Sequence, residues 1–68
     1  VDSGIPGLFE ALEGTAPGVR FVAARTPVEI AAAVAAGAEV VIGRTPLICD
    51  PRVLGAGPSL RWVQTVYA

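Results

Sequence analysis

Apolar residues near the start of the chain recur at intervals of three and four positions. This spacing predicts a helix with one apolar face, formed by Ile5, Leu8, Phe9 and Leu12. We expect Asp2 or Ser3 to cap the start of this helix, and Gly14 to end it in a left-handed conformation.

A second predicted helix begins at the sequence Thr-Pro-Val-Glu of residues 26–29. Thr26 supplies an N-cap hydroxyl, and Pro27 occupies the first helical position, where no N–H is needed. Glu29 stands three residues after the cap and is expected to accept a hydrogen bond from the N-cap N–H. The helix then runs through an alanine-rich stretch to Gly37, and its small side chains favour close packing on a sheet.

Three short stretches have the composition of β-strands. Residues 19–23 are rich in β-branched and aromatic side chains, which favour strands. Residues 38–43 form a nearly continuous apolar run, which is typical of a strand buried on both faces. Residues 60–66 are also predicted to form a strand. An Asp-Pro pair predicts a short helix over residues 51–54. The alternation of helix and strand predicts an α/β domain with a parallel sheet.

Composition narrows the classes of function. The chain has 68 residues, 53% of them hydrophobic, and a net charge of −1 from five arginines and six carboxylates, with no lysine. A chain of this length forms one small domain, and its apolar runs are too short to span a bilayer. Because the arginines are spread along the chain, neither nucleic acid nor an anionic membrane is expected as a partner.

Histidine is absent, and cysteine occurs once, at Cys49. The chain therefore lacks the commonest general base, and a single thiol supports neither a disulfide nor a cysteine-based zinc site, so no metal is expected. One unpaired cysteine fits a reducing compartment, and we expect a cytoplasmic protein. We interpret Cys49 as a packing thiol, and Glu10 with Glu13 as a solvated helix face rather than an acid/base pair.

The run Gly-Ala-Gly-Pro at residues 55–58 superficially matches the opening of a dinucleotide-binding fingerprint. That fingerprint requires a strand before it and a helix after it, and here the predicted order is reversed. Pro58 also has no backbone N–H to donate to a phosphate. We therefore predict a helix-to-strand connection at these residues.

The loops that follow the strands are better candidates for a binding site, since ligands of open α/β sheets collect at the carboxyl ends of the strands. A predicted loop over residues 44–46 follows the second strand, and Tyr67 follows the third. Arg44 can hold a carboxylate or phosphate through two hydrogen bonds, and Thr45 adds a hydroxyl. The alternative interpretation is a solvated arginine beside an ordinary loop threonine.

Residues 38–47 and 60–68 resemble the substrate (catalytic) domain of the D-isomer-specific 2-hydroxyacid dehydrogenases. The family has a strand and loop that begin with Ala-Asp and end with Thr-Pro-Val or Thr-Pro-Leu, matched here by Ala-Glu and Thr-Pro-Leu. Its next strand, Leu-[Lys/Arg]-Trp-[Val/Ile]-Gln, leads into Ala-Gly-Val-Asp, and this chain stops just before the Gly-Val-Asp. Asp2-Ser3 is similar to the end of the family's first strand, and residues 7–13 to its first helix.

The resemblance implies a partial flavodoxin-like three-layer sandwich. Three strands of its parallel sheet are expected in this chain, and the first strand, which lies between the second and third in such a sheet, is expected to be missing. Residues 1–68 would then be a partial substrate domain, with the NAD-binding domain and the catalytic arginine, glutamate and histidine outside it. The chain itself is expected to have no catalytic residue and to bind no cofactor, whereas the parent enzyme uses NAD or NADP and forms a homodimer.

The resemblance also implies a substrate site. Backbone N–H groups of the loop before Gly-Val-Asp hold the substrate carboxylate in the family, and this loop corresponds to Tyr67 and Ala68. The loop with Arg44 and Thr45 lines the same cleft. The expected substrate is a small 2-oxo or 2-hydroxy acid, oxidised or reduced at C2. Two alternatives stay open: a stand-alone α/β module that binds an anionic metabolite or a protein partner without catalysis, and a remnant with no ligand.

Overall fold

Helices and strands follow one another along most of the chain in a computed structural model, which describes residues 1–66. In chain order the elements are α1 (Leu8–Thr15), α2 (Pro27–Ala35), β1 (Val40–Gly43), α3 (Thr45–Ile48), α4 (Pro51–Leu54) and β2 (Trp62–Thr65). This confirms the predicted mixture of helix and strand. No helix among residues 1–66 has the length and apolar character needed to cross a membrane.

The two strands form a parallel sheet, as the alternating pattern predicts. Val40 pairs with Trp62 at one end of the ladder and Gly43 with Thr65 at the other. Val41 is buried, but Val40 and Trp62 are 49% and 61% exposed. The sheet therefore has one buried face and one open face, and the prediction that β1 is buried on both faces is wrong.

Residues 1–3 lie along the edge of β1 that faces away from β2. The Asp2 N–H donates to Ile42 O at 2.8 Å, and Asp2 forms a parallel bridge with Ala24. In this bridge the Ala24 N–H donates to Val1 O at 2.9 Å and the Ser3 N–H donates to Ala24 O at 2.7 Å. The first three residues thus join Ala24 to the sheet.

The strand predicted over residues 19–23 is not formed, and the only ladder contact in this part of the described chain is the bridge at Ala24. Among residues 1–66, the N–H groups of Phe21, Val22 and Ala23 donate no backbone hydrogen bond. Strand composition favours a ladder only where a neighbouring strand runs alongside. Within residues 1–66 this segment is paired only at its end, through the Ala24 bridge and a bond from the Val1 amino group to Val22 O at 2.9 Å. Within the described part of the chain the sheet therefore has two strands rather than the three expected.

Local capping explains where α2 begins. The Glu29 N–H donates to Thr26 Oγ1 at 3.2 Å, as predicted for an N-cap threonine. The Glu29 carboxylate accepts the Thr26 hydroxyl at 3.2 Å and the Arg25 N–H at 3.3 Å, rather than the predicted Thr26 N–H. The helix starts at Pro27, as its sequence indicates.

Two other helices differ from their predictions. Helix α1 begins at Leu8 after Gly7, whose φ of 80° makes it a left-handed N-cap without a side-chain bond, and it continues through Gly14 to Thr15. The prediction that Asp2 or Ser3 caps this helix is wrong, because the Asp2 carboxylate accepts from Gly4 and Arg44 and the Ser3 hydroxyl donates to Ala24 O. Helix α3 replaces the predicted loop, since Pro46 lies in its first turn, where a missing N–H costs nothing.

The core lies between α2, β1 and the two short helices. Its fully buried members are apolar: Ala24, Ile30, Val34, Val41, Ile48 and Val53. Ile48 lies in α3, the helix that follows β1, and it is 0% exposed within this core. Its burial holds α3 in place beside the carboxyl end of β1.

Candidate functional site

The carboxyl ends of β1 and β2 lie side by side at one edge of the sheet. Gly43 pairs with Thr65, and the Val66 N–H donates to Gly43 O at 3.0 Å. Arg44 and Thr45 follow β1 immediately, so they lie at the same edge of the sheet as Val66, which follows β2. Tyr67 and Ala68 lie outside the described residues, and their predicted role in holding a carboxylate stays a prediction.

Arg44 forms an ion pair with a residue at the other end of the chain. Its Nε donates to Asp2 Oδ2 at 2.7 Å and its Nη2 donates to Asp2 Oδ1 at 3.1 Å. Two parallel bonds of this kind fix the guanidinium in the plane of the carboxylate. The Asp2 side chain is 0% exposed and the Arg44 side chain 42%, so the anion is buried and the cation reaches the surface.

The Asp2 carboxylate also accepts two backbone hydrogen bonds. The Gly4 N–H donates to Oδ1 at 2.9 Å, and the Arg44 N–H donates to Oδ2 at 3.1 Å. Burial acts to raise the pKa of Asp2, but the hydrogen bonds from Arg44 and Gly4 and the positive charge of Arg44 outweigh it and hold that pKa below its usual value. The carboxylate is therefore ionised at neutral pH.

Two glycines leave the space that the Asp2–Arg44 pair fills. A Cβ placed on Gly43 would lie 2.4 Å from Asp2 Cβ and 3.0 Å from Ile48 Cγ2. One placed on Gly4 would lie 2.4 Å from Arg44 Nη2. Neither glycine needs a left-handed backbone, so their requirement here is close approach rather than conformational freedom.

The surface beside the ion pair is a shallow depression of about 210 Å³, lined by Arg44, Pro46 and Leu47. A larger groove of about 590 Å³ lies elsewhere, between α2, β1 and the segment that contains Phe21 and Val22, and its lining is mostly apolar. Cations line both: Arg44 lines the depression, whereas Arg20 and Val1, which carries the N-terminal ammonium, line the groove. We take the carboxyl end of β1 as the candidate site, because ligands of parallel sheets collect at the carboxyl ends of the strands and Arg44 is held there by Asp2.

The other residues considered for chemistry have structural places. Residues 55–58 connect α4 to β2, which confirms the predicted helix-to-strand connection. Gly57 approaches α2 so closely that a Cβ would lie 3.2 Å from Val34 O, and the Ser59 hydroxyl donates to the same oxygen at 3.1 Å. This run therefore serves to bring the chain across the end of α2.

Cys49 is exposed, so the interpretation of this residue as a packing thiol is wrong. It follows Ile48, which takes the buried position at the end of α3. Glu10 and Glu13 are both exposed, which confirms a solvated helix face.

No protein-family model, no curated protein and no solved structure matches the chain. The assignment of a function therefore depends on the geometry at the end of β1 and on the sequence motifs.

Sequence reasoning missed Asp2 as the partner of Arg44. The two residues are 42 positions apart, and nothing in their local sequence connects them. The available signal was indirect: Asp2-Ser3 as the end of a strand and Gly43-Arg44 as the end of the next element would meet at one edge of a parallel sheet.

Proposed function

We propose that this chain is the N-terminal part of the substrate domain of an NAD(P)-dependent D-2-hydroxyacid dehydrogenase. In this proposal it holds the carboxylate side of a small 2-oxo or 2-hydroxy acid. The observation that carries the proposal is the position of Arg44, a partly exposed cation fixed at the carboxyl end of a parallel strand. The motifs at residues 38–47 and 60–68 supply the family.

The arrangement of neighbouring segments supports a flavodoxin-like sheet for the intact domain. Ala24 forms a parallel bridge with Asp2, the Asp2 N–H donates to Ile42 O in β1, and β1 pairs in parallel with β2. This is the order in which the family's second, first, third and fourth strands would lie. We propose that the two-stranded sheet and its bridge are part of that larger sheet.

The chemistry assigned to this part is binding and orientation. A substrate carboxylate would accept N–H bonds from Arg44 and from backbone groups of the loop at Tyr67 and Ala68, with Thr45 beside them. Because Asp2 already neutralises much of the charge on Arg44, the guanidinium would contribute directed N–H groups more than net charge. Holding the acid in one orientation relative to the cofactor lowers the activation free energy of hydride transfer, because the entropy of orientation is lost on binding rather than in the reaction step.

The nicotinamide cofactor would supply or accept the hydride in such an enzyme. Residues 55–58 do not fit a dinucleotide, because they lead from a helix into a strand and Gly57 is packed against α2. We therefore assign cofactor binding and proton transfer to parts of the enzyme outside these residues. The unpaired, exposed Cys49 supports a cytoplasmic location for the enzyme.

The test is to sequence the gene beyond the codon for Ala68 and to assay its complete product. We expect Gly-Val-Asp next, a Gly-x-Gly-x-x-Gly between a strand and a helix further on, and oxidation of NADH or NADPH with small 2-oxo acids such as pyruvate or glyoxylate. A stop codon after Ala68 would contradict the enzyme and favour the stand-alone binding module. A complete product that oxidises neither cofactor with any 2-oxo acid would also contradict it.

A further inference from the structure

The Asp2–Arg44 pair joins a fully buried anion to a cation that reaches the surface, at the edge where a ligand would bind. We propose that Asp2 is the positioning residue of this site, which sets the direction of the Arg44 guanidinium before an anionic substrate arrives. The inference rests on the proposed function, because it assigns Asp2 a role in the same carboxylate site.

Both oxygens of the Asp2 carboxylate are fully used as hydrogen-bond acceptors, so the side chain cannot rotate without breaking bonds. Each oxygen accepts one bond from the Arg44 side chain and one from the backbone: Gly4 N–H to Oδ1, and Arg44 N–H to Oδ2. A side chain held by four bonds has one orientation. The guanidinium that shares its plane is therefore fixed as well.

The backbone of Asp2 is itself held on two sides. Its N–H donates to Ile42 O, and its neighbours exchange hydrogen bonds with Ala24. Asp2 therefore stands on the sheet rather than on a loop, which is the more rigid support for a functional group. Arg44, by contrast, leaves the sheet and begins α3 as its N-cap residue.

The glycines on either side leave room for the pair. A Cβ on Gly43 would lie 2.4 Å from Asp2 Cβ, and one on Gly4 would lie 2.4 Å from Arg44 Nη2. The clash at Gly43 is the stricter of the two, since the Cβ of Asp2 cannot move aside as the end of the arginine side chain can. This close fit distinguishes a built site from an ion pair formed incidentally at the surface.

The benefit to a ligand is preorganisation. An arginine with a side chain 42% exposed would otherwise sample many rotamers, and a ligand would have to order it on binding. Because Asp2 already orders the guanidinium, a ligand does not have to lose that conformational entropy on binding, although Asp2 also neutralises part of the positive charge. Loss of Asp2 should therefore weaken ground-state and transition-state binding alike, which raises KM and leaves kcat nearly unchanged.

The experiment uses the complete gene product and compares Asp2→Asn with Asp50→Asn. Asp50 pairs with Arg52 through the same kinds of contact but is separate from the candidate site, so it is the matched control. We expect Asp2→Asn to raise KM for the 2-oxo acid by about tenfold, the loss of one strong hydrogen bond, with kcat within about twofold of the unmodified enzyme. Asp50→Asn should leave both constants unchanged.

A merely structural role for Asp2 is separated by a double variant. If Asp2 acts through Arg44, adding Asp2→Asn to Arg44→Ala should raise KM little beyond the value for Arg44→Ala alone. Independent increases that multiply in the double variant would overturn the proposal. So would an unchanged KM in Asp2→Asn.

A measurement on the unmodified 68-residue chain keeps the inference testable if Asp2→Asn fails to fold. In ¹⁵N spectra the Arg44 Nε–H should exchange slowly with water, whereas Arg20, Arg25 and Arg61, which are exposed, should exchange rapidly. Rapid exchange at Arg44 would overturn the proposal. This readout needs no turnover, so a slow Arg44 Nε–H in a protein without dehydrogenase activity would show that the proposed function had failed and the fixing of Arg44 had not.

Discussion

The chain contains two aspartate–arginine pairs with nearly the same contacts and different surroundings. In each pair the arginine Nε and Nη2 donate to the two carboxylate oxygens, at 2.7 and 3.1 Å for Asp2–Arg44 and at 3.0 and 3.0 Å for Asp50–Arg52. In each, the aspartate also accepts the backbone N–H of its arginine, at 3.1 and 2.8 Å. These shared contacts do not distinguish the two pairs, although Asp2 also accepts the Gly4 N–H.

Their surroundings do. Asp2 and Arg44 are 42 positions apart and the carboxylate is fully buried, whereas Asp50 and Arg52 are two positions apart and both side chains meet solvent. The first pair connects the start of the chain to the end of β1, and the second caps the helix in which its arginine lies. Burial and separation therefore decide which pair the fold depends on.

The same contrast is present in the titration of the two carboxyls. The pKa of Asp50 is lowered chiefly by the hydrogen bond from the Arg52 side chain, and the pKa of Arg52 is raised by the same contact. Burial opposes ionisation of both carboxyls, but it is the largest influence on the pKa of Asp2 and a lesser one on the pKa of Asp50. The ionised form of Asp2 therefore depends more on its partners than that of Asp50.

The largest expected effect is that of Asp2→Ala. It removes the buried half of the pair and leaves the Gly4 and Arg44 N–H groups without acceptors, which should lower the free energy of unfolding by about 3 kcal/mol. We place the loss at the low end of the range for buried pairs, because water can reach Arg44. Urea denaturation followed by circular dichroism measures it.

Asp50→Ala is the control for that substitution, and should cost much less, because water replaces the lost contacts. Equal losses in the two variants would show that burial does not separate the pairs.

The next effect is that of Gly43→Ala. The added methyl would meet Asp2 Cβ at 2.4 Å, a contact with no flexible end to move aside, and we expect a loss of about 2 kcal/mol in the free energy of unfolding. Gly14→Ala is the matched control, since Gly14 lies in α1 with no atom within 4 Å of the new Cβ. Alanine there should be neutral or stabilising. A stable Gly43→Ala variant would mean that the pair does not need its close packing.

Sequence reasoning succeeded where the determining contacts are local. The start of α2 at Thr26-Pro27, the start of α4 at Asp50-Pro51 and the strand cores at residues 40–43 and 62–65 all follow from residues within a few positions of each other. Caps and short apolar runs carry their own signal. The predicted mixture of helices with a parallel sheet is therefore confirmed, whereas the predicted strict alternation of helix and strand is not.

It failed where the determining contact is distant. Residues 19–23 have strand composition, but a ladder needs a neighbour along its length. Among residues 1–66 this segment meets one only at its end, at Val22 O and at the Ala24 bridge. The role of Asp2 depends on an arginine 42 positions away, and the need for glycine at Gly43 depends on Asp2. The sequence therefore indicated a site at this edge of the sheet, through Arg44 and Thr45, but it did not indicate that the buried Asp2 carboxylate binds Arg44.

A smaller effect is expected in the pH dependence of the free energy of unfolding. Because the pKa of Asp2 is lower in the folded chain than its usual value near 3.8, the unfolded chain binds the proton more tightly. The stability from this group is thus fully present above about pH 5 and is lost as the pH falls through the folded pKa. The free energy of unfolding, measured against pH, should decline less steeply below about pH 4 in Asp2→Asn than in the unmodified chain. Identical slopes would show that Asp2 does not contribute.

The smallest effect is expected for Arg52→Ala. Both partners of this pair are solvated, and the Asp50 carboxylate keeps its bond from the backbone N–H of residue 52, which the substitution retains. The free energy of unfolding should therefore be unchanged within the error of urea denaturation. Arg44→Ala, in contrast, removes two of the four donors to a buried carboxylate and should be clearly destabilising. If the two alanine variants unfold at the same urea concentration, then contact geometry, and not burial, sets the contribution of such pairs in this chain.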